Sequence, residues 1–586
     1  MTAEFVSRFG EDPADRDAVR RLKSPIHDER QIRIAVIGAG ASGLLLAYQI
    51  QKHFNNYMLT VYEKNPAVAG TWYENRYPGC ACDVPSHNYT WSFEPKTDWS
   101  SVYPGRDEIF EYFEGFAKKY QLYRYIQLQH QVVGAYWNNS RAGYDLKIKD
   151  LVQDKIVEDR CDILINAGGV LNNWRWPDIP GLKGYKGTLL HAARWDESVE
   201  LKGKRVGLIG NGSTGVQLLP FLQEICSNVT VFIRQPGWVS PVQGLQQHQF
   251  SEEERWKFAT NPGALQTYRK TVENGLNGMF SVYLKGTKLS EETRQYILGQ
   301  MREKLGDNKH LAEQLIPKFS FGCRRLTPGP GYLEALTKPN VRVSYGNIKA
   351  ITERGCLVTE DDGNEHEHCV DMLVCATGFD TSFRPRFPIV SHTGVNLQDK
   401  WATKAESYLG VAAAGFPNYM CTLGPNSPIG NGPVLAAVEA QVEWICRMID
   451  RYQTTNIKMF TPKEEAVRDF VEFKDQFMEK TVWTDDCHSW YKGPEGEVRA
   501  LWPGSSLHYM ECMKDLRLDD FSVTYAGNRF AWLGNGYSRT EVDDTADWSY
   551  YIRENDDDSP PLTTAEKRKM LSKSGTVKDR DMVKYT

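Results

Sequence analysis

The sequence predicts an α/β fold: two Rossmann-like dinucleotide-binding domains, the second carrying a helical insertion. Three observations carry this expectation. The apolar run Ile34-Ala35-Val36-Ile37 enters a glycine-rich turn, Gly38-Ala39-Gly40-Ala41-Ser42-Gly43, which continues into a helical Leu44-Leu45-Leu46-Ala47. The same strand, turn and helix order recurs as Arg205-Val206-Gly207-Leu208-Ile209 followed by Gly210-Asn211-Gly212-Ser213-Thr214-Gly215. In such a turn the glycines let a pyrophosphate approach the backbone at a helix N-terminus. The third observation is a pair of hydrophobic strands running into small residues, Asp162–Gly169 and Met372–Asp380, which read as crossings between the two units.

Residues 1–30 are polar and charged and read as a surface leader. The span 31–170 forms the first part of the first unit. Its second strand, Leu59-Thr60-Val61-Tyr62, ends at Glu63, and a carboxylate there suits an unphosphorylated ribose diol, so this unit is assigned to FAD. The first part of the second unit spans 171–240. Its strand Val229–Ile233 ends at Arg234, with Gln235 beside it, and a cation at that place fits a 2′-phosphate, which points to NADPH. Residues 241–320 turn to Gln, Glu, Lys and Arg with helical apolar spacing and read as the insertion, with Ser290-Glu291-Glu292 as one helix start. The NADP unit resumes over 321–380, with a hairpin-rich stretch at 341–370, and the FAD unit over 381–553. There a helix from Pro433 to Ile445 follows the loop Gly424–Pro428 and turns its positive N-terminal end toward the electron-rich edge of a flavin. The tail, 554–586, has too little apolar surface to fold firmly.

At 586 residues, 41% of them hydrophobic, the chain can bury a large core divided among lobes. A net charge of −5 with mixed signs excludes the basic footprint of a nucleic-acid binder. The segment Met1–Arg8 has no apolar signal core, and the apolar stretch Ile34–Ile50 belongs to the first glycine turn rather than to a transmembrane segment. Twelve scattered cysteines then read as reduced thiols of a cytoplasmic protein.

Two further patterns add chemistry. Tyr185, Gly187, His191, Trp195 and Asp196 fit an aromatic-x-Gly-x-x-x-His-x-x-x-Trp-Asp signature between the two units. Ala69-Gly70-Thr71-Trp72 continues to Tyr77-Pro78-Gly79 and Asp83. On these residues the chain resembles the type I Baeyer–Villiger monooxygenases from about residue 30 to 510, with Tyr185 a mild departure from the usual phenylalanine.

The resemblance implies that NADPH reduces FAD, that the reduced flavin takes up O2, and that the resulting peroxy anion attacks a ketone to give an ester or lactone. Such an anion in a dry site needs a fixed cation close by, and arginine stays charged when partly desolvated. In Phe319-Ser320-Phe321-Gly322-Cys323-Arg324-Arg325-Leu326, Arg325 takes the catalytic position and Arg324 the place beside the NADP 2′-phosphate. Asp83 matches the carboxylate that orients the arginine through a bidentate contact. Thr71 and Trp72 fall among the cofactor-binding residues, Trp490 packs near the nicotinamide, and His191 acts as a strut between domains. The insertion and the segment Leu501–Tyr509 look similar to fungal members acting on bulky polycyclic, terpenoid or polyketide ketones in secondary metabolism.

Two rival functions share these motifs. A flavin-dependent N- or S-oxygenase on the same scaffold is disfavoured by Trp195-Asp196, since those relatives carry Tyr or Phe there. A non-catalytic FAD/NADP-binding interaction protein is disfavoured by the intact Asp83 and Arg325. No metal site is expected: Glu365-His366-Glu367-His368-Cys369 alternates so that both histidines face one exposed side, and Cys80-x-Cys82 lacks redox-pair spacing. Oligomeric state is not legible.

Overall fold

The computed structural model describes residues 23–239, 244–306, 308–360 and 363–552. Leader residues 1–22 and the tail 554–586 lie outside these. The chain divides into two compact units, one spanning 29–529 and a small one in which residues 23–28 accompany the segment from 530 onward.

In the large unit β1 (Ile32–Ile37) leads through the first glycine turn into α1 (Ala41–His53) and on to β2 (Tyr57–Tyr62). A short β3 (Ile126–Gln127) precedes three longer antiparallel strands, β4 (His130–Asn138), β5 (Gly143–Asp150) and β6 (Lys155–Cys161). Then come β7 (Ile163–Asn166), β8 (Thr188–His191), β9 (Arg205–Ile209), α2 (Ser213–Ile225) and β10 (Asn228–Ile233). The next stretch is helical: α3 (Glu252–Thr260), α4 (Pro262–Gly278), α5 (Lys288–Leu305) and α6 (Lys309–Leu315). Strands β11 (Val341–Ile351), β12 (Gly355–Glu360), β13 (Glu365–Cys369), β14 (Met372–Cys375), β15 (Ile389–Val390) and β16 (Tyr419–Cys421) follow, and then α7 (Val434–Thr454).

Two sheets organise these elements. The first is wholly parallel, in the order β16-β7-β1-β2-β3, and the second runs β13-β12-β11-β10-β9-β14-β8. Every strand of the second lies in the chain between β7 and β16 of the first. After β14, β15 pairs with β4 and β16 pairs with β7. Both parallel cores read as unbroken apolar runs because their faces are covered, and Val36, Leu164, Leu208 and Val231 are fully buried.

Two local expectations need correction. Helix α5 starts at Lys288, capped by Thr287, whose hydroxyl accepts from the Ser290 N–H; Ser290 therefore sits inside the first turn and does not precede it. In β13 the alternation is present but its sense is reversed. His368 is only 6% exposed, packs edge-on against Phe232 with ring centroids 5.6 Å apart, and hydrogen-bonds to Glu360 Oε1 and Ser344 Oγ. That face of the edge strand lies on the core formed by Ile209, Val358 and Cys375, which the local pattern could not reveal.

In the small unit the Ile26 N–H donates to Tyr537 O at 3.0 Å, and His27 stacks on Trp532. Among the described residues no helix is long and apolar enough to cross a membrane.

Candidate active site

The two glycine turns have the same backbone design. Gly38 and Gly210 adopt φ of +97° and +108°, and a Cβ on either would press on a carbonyl oxygen of the facing crossing, Ala167 O at 2.8 Å or Ala376 O at 2.6 Å. A Cβ on Gly43 would lie 1.9 Å from Gly38 O, and one on Gly215 2.1 Å from Gly210 O. The middle glycines differ from these. A Cβ on Gly40 would meet only the Gly70 backbone, Cα at 3.7 Å and N at 4.0 Å, and one on Gly212 would meet nothing within 4 Å. The first and third glycines thus serve the fold, and the middle ones leave room at the N-termini of α1 and α2.

At the end of β2, Glu63 is 4% exposed, with Oε2 accepting from the Ala39 N–H and Oε1 from the Asn65 N–H, both at 2.8 Å. Burial pushes its carboxyl up, while the two backbone donors favour the charged form. At the end of β10, Arg234 is exposed and forms no salt bridge with the described carboxylates. Arg324 lies close to it, its Nη1 donating to Pro236 O at 2.9 Å and Gln235 O at 3.4 Å. Burial and the like charge of Arg234 both lower the Arg324 pKa. Arg234 and Arg324 thus place two cations side by side with no carboxylate between them among the described residues, a charge arrangement that an anion would relieve. The Gln235 side chain accepts from the His488 N–H at 2.8 Å, while Ser213 Oγ meets Thr327 Oγ1 at 2.9 Å and Thr214 opens α2 beside it.

The structure brings Asp83 and Arg325 together. Arg325 Nε and Nη2 donate to Asp83 Oδ2 and Oδ1 at 2.5 and 2.7 Å, a two-bond fork, and Nη1 donates to Ile429 O at 3.2 Å. Asp83 raises the guanidinium well above its ordinary pKa, so it stays charged. The side chains keep 32% and 16% exposure, so the pair is not sealed in the interior. Thr71 opens a one-turn helix after Gly70, exposed, and Trp72 is buried with its Nε1–H donating to Tyr89 Oη at 3.2 Å. Trp490 packs on Tyr491 with centroids 4.8 Å apart.

The linker signature is a packed joint. A Cβ on Gly187 would lie 2.4 Å from the Tyr185 hydroxyl, which donates to Val370 O. His191 is 2% exposed, accepts from the Ala193 N–H at Nδ1, meets Thr377 Oγ1 at 3.4 Å and packs against Trp174. Burial lowers its pKa to about 4, which keeps it neutral. Trp195 lines a surface cavity of about 600 Å³ with Arg76 and Phe221. Asp196 is exposed and its carboxylate accepts from Ser198.

Sequence reasoning missed two participants, Gln217 and Tyr491, and gave Gly79 no role of its own. Gln217 on α2 accepts from Tyr77 Oη at 2.7 Å and donates to Ala81 O at 2.9 Å, tying the loop that leads to Asp83 onto the second unit. Gly79, at φ +78°, permits that approach, since a Cβ there would lie 2.6 Å from Gln217 O. Tyr491, 2% exposed, lies beside Arg325; burial pushes its phenol up against the pull of that charge. No local pattern marks Gln217 or Tyr491, whereas Gly79 stands in the Tyr77-Pro78-Gly79 pattern. The expectation of reduced cysteines also fails at one place: Cys323 and Cys487 form a disulfide, because folding brings residues 164 apart in sequence to a Cα separation of 6.4 Å.

Residues 36–104 match the NAD(P)-binding Rossmann-like domain family. The chain is 39% identical to the FAD-binding monooxygenase moxY of Dothistroma septosporum over 87% of its own length and 82% of the relative's. It is 38% identical to the FAD-binding monooxygenase tazF of Aspergillus terreus, over 90% and 96%. Among solved structures it is similar to the closed form of cyclohexanone monooxygenase, at 26% identity and TM-score 0.73, covering 85% of this chain and all of that one.

Proposed function

This chain belongs to the FAD-binding monooxygenases of the Baeyer–Villiger type, and from that premise we propose that it uses NADPH and O2 to insert one oxygen atom beside the carbonyl of a bulky ketone. The flavin, when bound, supplies hydride acceptance and reaction with O2. The protein binds, orients and supplies charge. The turn at Gly38–Gly43 fits FAD: Gly40 and Gly70 face each other with no side chain between them, and Glu63 holds its carboxylate at the end of β2. The Arg234 and Arg324 pair fits the 2′-phosphate of NADPH, since neither cation has a described carboxylate partner.

The single observation carrying the reaction assignment is the Asp83–Arg325 fork. Two parallel bonds fix the guanidinium plane, and the third, to Ile429 O, aims it from the loop before α7. A rigid cation so held stabilises negative charge developing on oxygen without reorganising. Aromatic and aliphatic side chains stand next to it: Phe280, Tyr283, Trp483, Trp490 and Leu501 pack in one cluster with Ile429, and Tyr283 stacks on Trp483. The members of this cluster that keep partial exposure, Phe280, Tyr283 and Trp490, suit contact with a large, flat apolar ketone, which supports a polycyclic or polyketide substrate.

Arg325→Ala is expected to keep reduction by NADPH and O2 consumption while making no ester; ester formation at the parent rate removes Arg325 from this role. Incubation with linear, cyclic and polycyclic ketones beside a thioether, read by mass gain of one oxygen, tests the substrate class.

A further inference from the structure

We propose that Cys323 and Cys487 form a reversible redox site whose disulfide clamps the segment Asp485–Lys492 onto the Arg324–Arg325 segment, and that its reduction weakens retention of NADP. The last clause rests on the NADP assignment above.

The bond joins two functional segments. Cys323 immediately precedes Arg324 and Arg325. Cys487 precedes His488, whose N–H holds Gln235 next to Arg234, and the same segment carries Trp490 and Tyr491, the latter beside Arg325. Other ties on this segment are non-covalent: Ser320 N–H to Asp485 Oδ2 at 3.3 Å, Lys285 to Asp485 at 3.6 Å, and Tyr491 O accepting from the Arg499 and Ala500 N–H groups at 3.0 and 3.1 Å. Without the covalent link, the placement of His488 and Tyr491 depends on these weaker bonds and on packing.

The surroundings favour exchange at this pair. Both cysteines are buried, Cys323 fully and Cys487 with 6% of its surface exposed, so Cys487 is the less enclosed side of the bond. An external dithiol attacks it as thiolate; the S–S bond breaks and Cys323 leaves as thiolate. Lys492 Nζ lies 3.8 Å from Cys323 Sγ, and a cation at that distance makes Cys323 the better leaving group. The second thiol of the reductant then resolves the mixed disulfide, so one external dithiol is oxidised as one protein disulfide is reduced. In the reverse direction, hydrogen peroxide oxidises the Cys487 thiolate to the sulfenic acid, its other oxygen leaving as hydroxide that takes a proton from solvent to become water. The Cys323 thiolate then displaces the sulfenic hydroxyl, giving the disulfide and a second hydroxide that is likewise protonated to water. The other ten cysteines are free, and Cys80 and Cys82, near Asp83, are not joined.

The test uses the FAD-loaded full chain. Alkylation under denaturing conditions should count ten thiols after hydrogen peroxide and twelve after dithiothreitol, reversibly. NADP+ titrated into both forms should bind roughly fivefold or more weakly to the reduced one. Cys487→Ser should match the reduced protein whether or not peroxide is added. Twelve thiols after peroxide overturn the site, and equal NADP+ affinity in the two states overturns its coupling to NADP. Binding in neither state overturns the NADP assignment and the coupling with it, tighter binding to the reduced form overturns the coupling, and a changed thiol count with weaker binding to the reduced form upholds both.

Discussion

The two glycine turns fold alike and end in opposite ways. Each places its first glycine at positive φ against a carbonyl of the facing crossing, and each packs its third glycine onto the first. The acid of the first turn is buried and held by two backbone donors, whereas the base of the second is exposed and left unpaired beside a second cation. A buried carboxylate must have its bonds built in, because the cost of leaving it unsatisfied falls on the folded chain. An exposed guanidinium can wait for its anion, since water solvates it in the meantime. Backbone shape is thus common to both turns, and the choice between them lies in how far each terminal charge is preorganised.

The harshest way to break this comparison is at the shared feature. Gly43→Ala and Gly215→Ala each press a methyl into a carbonyl oxygen at about 2 Å and should cost about 3 kcal/mol or more, leaving little soluble protein. Normal melting of either variant would show the turns to be loosely packed.

The next effect concerns the joint at the second crossing. His191 has its folded pKa depressed to about 4 from 6.5, so its contribution is fully present above pH 6.5 and is lost as pH falls toward 4, where the unfolded chain binds the proton first. The loss amounts to about 3 kcal/mol across that window. His87, also lowered to about 4, titrates in the same range, so the informative quantity is the melting temperature of the parent minus that of His191→Gln at pH 7 and at pH 5. A difference that does not change with pH refutes the assignment.

Arg324→Ala sharpens the contrast in charge. Removing one of the two unpaired cations should raise KM for NADPH tenfold or more, about 1.5–3 kcal/mol for a charged hydrogen bond, and leave KM for NADH nearly unchanged. Equal effects on both cofactors would place the 2′-phosphate elsewhere. The smallest effect on stability is expected at Gly212→Ala, within about 0.5 kcal/mol, because its Cβ would point into open space. Weaker NADPH binding at unchanged melting temperature would show that this space belongs to the ligand.

Much of this architecture was legible because strand, turn and helix each leave a local mark. The runs ending at Ile37 and Ile209, the glycines after them and the charges at Glu63 and Arg234 lie within short windows of sequence. The helix expected from Pro433 is α7, Val434–Thr454. Contacts with no local mark were not legible. Gln217 is an ordinary helical polar residue until Tyr77 and Ala81 come to it across the fold. His368 obeys strand alternation, yet which face is buried depends on Phe232, far away in the chain.

By itself the sequence determined the kinds of element, the order of the two nucleotide turns and the sign of the charge at each, since these follow from side-chain chemistry and short-range sterics. Only tertiary structure decided that Cys323 reaches Cys487 and that Gln217 ties down Ala81, and it gave the Asp83–Arg325 contact, which the family resemblance implied, its geometry. The reason is physical: each of these pairs is separated by well over a hundred residues, and their approach is set by the packing of whole sheets and helices, which no short window of sequence encodes.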